Sequence, residues 1–178
     1  KNQGILESRR FISGREFLFL GKNFPLNVHE KEDIGRPFVG FDGLAWQAYL
    51  PKGIDNSRAE EMVRQKMIQW YREQAEEILG GRTFHYSRIM DLHPEKIAVR
   101  SFKRVWGNCD YRTKTLQYNW QIVQSPIPVI DYVIVHELCH LVHPNHGQRF
   151  WKKVEKFMPD FRDHRQWLRK NHASITMT

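Results

Sequence analysis

The run Ile127-Pro128-Val129-Ile130-Asp131-Tyr132-Val133-Ile134-Val135 leads directly into His136-Glu137-Leu138-Cys139-His140, and this junction restricts the chain more than any other stretch. The leading segment is apolar on nearly every side, so it reads as a helix inside a core. Two imidazoles and a carboxylate carried on such a helix are costly to bury unless paired, hydrogen-bonded or bound to metal. Positions i and i+4 of a helix lie one turn apart on the same face, so His136 and His140 can both reach one ion at roughly 2.0–2.1 Å. Glu137 stands beside them, where it can take a proton from a water on the ion's open side. The arrangement points to a zinc-dependent hydrolase.

Catalytic zinc typically takes a third protein ligand. His143 follows His140 at i+3, but at 1.5 Å per residue it stands about 10 Å along the axis from His136, too far for one ion to bind both. Pro144 disfavours helix at His143, so the chain should turn at His143-Pro144-Asn145 and return His146 to the site. His136, His140 and His146 are therefore the expected ligands, with His143 facing the helix-end carbonyls. Cys139 points about 100° away from His140 and reads as core. Tyr118, Tyr132, His143, His164 and Arg149 all remain open as donors to a developing oxyanion.

The segment from Ile130 to Leu141, with Asn145-His146 and Phe150-Trp151, resembles the YgjP-like predicted metallopeptidases, relatives of the SprT-like zincins. Trp106-Gly107-Asn108-Cys109 is similar to that family's Trp-Gly-Ser-Cys strand, with Val105 and Asn108 departing from its usual Arg and Ser. Asn119-Trp120, Pro159-Asp160 and Trp167-Leu168 also match its pattern, and Phe19 to Leu26 is similar to its early hairpin. The resemblance implies a metallopeptidase with His136, His140 and His146 as ligands and Glu137 catalytic.

The expected fold class is α+β: one zincin-like domain over 1–178, with a β-rich part at about 1–52 and a catalytic core at about 58–172. Hairpins are expected over 15–29 and 38–50, the second with Asp42-Gly43 as a two-residue turn. Helices are expected over about 58–79, stopping at Gly80-Gly81, and over 82–91. Strand character returns at Ile97–Arg100 and up to Trp106, then a turn at Tyr111–Lys114 leads into an alternating strand to Trp120. This hairpin should lie beside the metal helix. Trp106–Asp110 then reads either as an ordinary core strand or as an edge that pairs with an extended substrate, with Trp106, Gly107, Asn108 and Cys109 as its contacts. Phe150, Trp151, Val154, Phe157 and Met158 form the apolar face of one C-terminal helix, and Phe161, Trp167 and Leu168 that of a second.

Nothing approaches an apolar stretch of about 20 residues, and Cys109 and Cys139 are the only cysteines, so a soluble, cytoplasmic protein is expected with no membrane partner. The net charge of +8 is spread over small clusters and points only weakly to nucleic acid. The expected mechanism uses one Zn2+ to activate water, with Glu137 as general base and a polypeptide as substrate. Two rivals remain. One is a metal-dependent hydrolase of a nucleotide, and the other a nucleic-acid-associated module with a structural metal.

Overall fold

A computed structural model describes residues 10–177, which divide between Tyr71 and Arg72 into two compact units. Strands β1 (Glu16–Phe19) and β2 (Lys22–Lys31) form an antiparallel hairpin, and β3 (Phe38–Phe41) and β4 (Trp46–Pro51) form another. The first turns at Leu20 and Gly21, both at positive φ, where glycine carries no Cβ penalty. The second connection spans four residues rather than the expected two. Asp42 builds it by accepting from the Leu44 and Ala45 amides, each at 2.8 Å, so its side chain takes the part assigned to a tight Asp-Gly turn.

The hairpins join through a parallel β2–β4 pairing, in register from Leu26↔Trp46 to Lys31↔Pro51, giving the sheet order β1-β2-β4-β3. Phe19, Phe41 and Trp46 pack there against Trp70 and Tyr71 from the first half of the first helix. The Trp46 and Trp70 rings meet edge-on at 4.5 Å, and the Tyr71 hydroxyl donates to the Leu18 carbonyl at 2.6 Å.

That helix, α1 (Asn56–Met90), is one continuous element of 35 residues. The expected break at Gly80-Gly81 does not occur. Each glycine costs a helix roughly 0.8–1 kcal/mol relative to alanine, and side chains on either side outweigh that cost. Leu79 is fully buried, Arg82 makes a two-pronged ion pair with buried Asp131, and the buried Thr83 hydroxyl donates to Tyr118 at 3.2 Å. The helix ends where Asp91 takes a left-handed conformation.

In the second unit β5 (Lys96–Arg100), β6 (Gly107–Asp110) and β7 (Thr115–Asn119) form a sheet in the order β5-β7-β6, with β5–β7 parallel and β6–β7 antiparallel. The expected strand up to Trp106 is instead a connection. Asn119 holds it by donating to the Phe102 and Val105 carbonyls, and Trp120 donates to Ser101, so a 3-10 turn at Trp120–Gln124 replaces the last strand residue. Helices α2 (Ile127–His140), α3 (Gln148–Phe157) and α4 (Phe161–Asn171) follow. Pro128 opens α2, where its missing N–H is harmless, and residues 129–135 are all buried, as an all-round apolar helix requires. Among the described residues, no helix is long and apolar enough to cross a membrane.

Candidate metal centre

Helix α2 carries His136, Glu137 and His140 to its C-terminal end. The helix stops there because Pro144 follows, and the amides of Val142 and His143 fold back onto the Cys139 carbonyl. The turn returns His146 just before α3 begins. The three Nε2 atoms then face one another at 3.0, 3.1 and 3.2 Å. His140 donates from Nδ1 to the His143 carbonyl at 3.0 Å, which leaves its Nε2 as a bare lone pair. Three nitrogens converging in this way suit a cation at their centre, since tetrahedral ligands at roughly 2.05 Å lie roughly 3.3 Å apart. These are the residues among those described that can hold a metal ion together.

Phe150, fully buried on α3, braces the cluster. Its ring lies 4.5 Å from His140, 4.8 Å from His146 and 4.9 Å from His136, and Trp151 stacks on His146 at 5.6 Å. Burial, followed by the charges of His140, His146 and Arg165, holds His136 far below the usual imidazole range, at about 3. Burial lowers His140 and His146 as well, with the Arg165 charge adding to the effect at His146. All three are thus neutral at neutral pH, the state in which an imidazole can bind a metal. The Nδ1 of His136 is buried without a partner, so this imidazole lacks the outer hydrogen bond that orients His140.

Glu137 is 5 % exposed, and burial pushes its carboxyl up to about 8. Its neighbour across the gap is Gly107 on β6. A Cβ placed there would lie 2.5 Å from Glu137 Oε1 and 2.6 Å from its Cγ, closer than real atoms approach. The sequence leaves open whether Gly107 belongs to an ordinary core strand or admits a substrate backbone, and in the structure Glu137 itself fills the space.

Trp106, Gly107, Asn108 and Cys109 all line a cleft of about 560 Å³ that also reaches His136, Glu137, His140 and His146. Alternation along β6 turns Gly107 and Cys109 towards the side of buried Leu116 and Tyr118, while Asn108 reaches across the strand to Gln117 at 3.3 Å. Burial, and then the Glu137 and Asp110 charges, push the Cys109 thiol up to about 12, which keeps it protonated at neutral pH. Cys139 is buried, as its place on α2 requires.

Of the five candidate oxyanion donors, Tyr132 alone lines the cleft. Tyr118 is fully buried beneath it, His164 pairs with Asp160 at 3.1 Å, His143 contributes its carbonyl, and Arg149 is exposed elsewhere. Sequence reasoning missed Arg104, Arg165, Arg169 and His172, which complete the cleft wall. Helical spacing on α4 puts Arg165 and Arg169 on one face, but only the fold shows that this face meets the histidines.

The chain matches the YgjP-like metallopeptidase domain over residues 2–171. It belongs to the YgjP-like family. Membership makes it a metal-dependent peptidase domain in general terms, and the histidine trio supplies a place for the metal. Among solved structures, this YgjP-like chain is similar to the metallopeptidase zymogen of Pyrococcus abyssi abylysin, at 19% identity and a TM-score of 0.47, over 52% of this chain and 93% of that one. Comparison with curated proteins gives no match.

Proposed function

We propose that the protein is a zinc peptidase in which His136, His140 and His146 hold the ion through Nε2 and Glu137 is the general base. The single observation that carries this reading is the convergence of three imidazole nitrogens within 3.2 Å of one another beside a buried carboxyl group. A zinc ion held there would polarise a peptide carbonyl and lower the pKa of a water towards roughly 7.

Burial alone would keep Glu137 protonated, and a cation held by the three histidines would favour its carboxylate. In that form Glu137 accepts a proton from the attacking water and later delivers it to the leaving nitrogen, so the amide is replaced by a carboxylic acid and an amine. The wall at Gly107 limits where its carboxyl group can swing. The Tyr132 hydroxyl, held neutral because burial raises it to about 12, is a donor available to the cleft. Among the described residues, the outer edge of β6 has no strand partner, and its amides and carbonyls can pair with an extended polypeptide. Backbone pairing favours unfolded chains, since it needs a free strand.

The test is a panel of an unfolded polypeptide, the same polypeptide folded, and nucleoside triphosphates, each with and without DNA and with Glu137→Gln as control. Cleavage of the unfolded chain by wild type but not by the variant is the expected result. Hydrolysis of a nucleotide with no polypeptide cut would reassign the protein to the nucleotide hydrolases. Tight DNA binding with no hydrolysis of any kind would reassign it to the binding modules with a structural metal.

A further inference from the structure

The wall of the metal cleft differs sharply from its floor in charge. Arg104 from the β5–β6 connection and Arg165 and Arg169 from α4 line it, and the one carboxylate among the lining residues is Glu137. Arg10, Arg64, Arg82 and Arg162 face carboxylates, whereas other described arginines such as Arg36 and Arg149 make no ion pair, so what sets the cleft arginines apart is their place beside the histidines. Among the described residues, the side chains of Arg104, Arg165 and Arg169 form no ion pair and no hydrogen bond to the protein.

Three guanidiniums at a cleft that also gathers metal ligands repel one another and any bound cation. Arg165 is nonetheless held in place. Its Cζ lies 5.0 Å from the centre of the Trp151 ring, and Trp151 stacks at 27° on the His146 ring. An aromatic face rather than a counter-ion braces this guanidinium against the metal site, leaving its N–H donors uncommitted. No lysine lines the cleft. Arginine is the cation whose planar fork matches a carboxylate in a two-pronged bond.

We propose that this wall is a carboxylate subsite: Arg165, with Arg104 and Arg169, holds an acidic side chain or the chain-terminal carboxylate of the substrate beside the bond that is cut. The inference rests on the peptidase reading and adds a substrate class to it. Unfolded acidic peptides are the substrates, and peptides carrying lysine near the scissile bond are rejected by the same charges.

The experiment uses the metal-loaded protein and matched peptides that carry Glu, Gln or Lys at each position flanking the cut, each with a free and an amidated C-terminus. The expected result is a kcat/KM at least about tenfold higher for carboxylate-bearing peptides, expressed mainly in KM and shrinking with added salt. Arg165→Gln and Arg169→Gln remove the preference, and Arg169→Glu shifts it towards lysine. Loss of the preference on amidation assigns the carboxylate to the chain terminus, and its persistence assigns it to the side chain. Equal rates for all peptides, or a preference untouched in the arginine variants, overturn the subsite. Binding of the same peptides to Glu137→Gln by calorimetry separates the two levels. If no peptide is cut yet acidic ones bind at least about tenfold more tightly, the subsite stands and the peptidase reading falls; if binding ignores charge, the subsite falls whatever the turnover.

Discussion

The two units bury different chemistry. Among the described residues, every buried polar or charged side chain, from Thr83 to Glu137, belongs to 72–178, while the core of 1–71 is apolar and aromatic. Both contain a mixed sheet, and both draw on α1. In the first, Trp46, Trp70 and Tyr71 gain contact area, with the Tyr71 hydroxyl bonded to Leu18 and the Trp46 Nε1 buried without a partner. In the second, Asp131 needs Arg82 and Tyr86, Asn119 needs three backbone partners, and Glu137 takes up its burial as a raised pKa. A site that holds a metal and moves a proton, as we propose for the second unit, requires such compensations.

The sharpest way to test this division is to neutralise Glu137. Glu137→Gln should lower hydrolysis by about 10²–10⁴-fold, because an amide cannot accept the water's proton, while metal content and folding stay unchanged. Steady-state kinetics with elemental analysis checks both halves. Loss of metal would make Glu137 a ligand instead.

His146→Ala should weaken metal binding by more than the roughly 10–100-fold seen when only an outer partner is lost, whereas His143→Ala keeps most of the affinity because only its backbone carbonyl supports His140. Competition with a chelating dye reads both variants. The reverse ranking would move the third ligand to His143.

Met67, fully buried in the first unit, offers the contrasting case. Met67→Ala should cost about 2–5 kcal/mol of stability by leaving a cavity, with metal affinity per folded molecule unchanged. Denaturant unfolding and metal titration, run side by side, would break the division if both moved together.

Gly107→Ala places a methyl group against Glu137, so activity should fall by about tenfold with metal retained and stability lowered by about 1–3 kcal/mol, since the buried side chain must shift from its place. Wild-type turnover in a folded variant would show that Glu137 tolerates the displacement. The smallest effect is expected at Gly81, which is exposed in α1 and has open space where a Cβ would stand. Gly81→Ala should stabilise the protein by roughly 0.5–1 kcal/mol in thermal or denaturant unfolding.

Much of the site was legible in the sequence because its rules are local. Four-residue spacing puts His136 and His140 on one face, Pro144 ends the helix in time for His146 to return, and an apolar surround announces that α2 is buried. The α+β class and both N-terminal hairpins follow from periodicity and turn residues for the same reason. Gly80-Gly81 misled because local propensity weighs about 1 kcal/mol per residue and knows nothing of Asp131, roughly fifty positions away, whose pairing with Arg82 helps to carry the helix through.

What tertiary structure alone decided is of that second kind. The parallel pairings β2–β4 and β5–β7 join strands separated by connections whose length encodes no register. The contact between Gly107 and Glu137 joins residues thirty apart, so only the fold shows that the space at this glycine is taken by the carboxyl group. Arg165 stands out only when Trp151 and His146 are stacked beneath it, because a basic residue on an amphipathic helix looks like any solvated charge until the fold sets that face against a cleft. Sequence specifies chemistry wherever one element carries all of it, and long-range packing specifies it wherever two must meet.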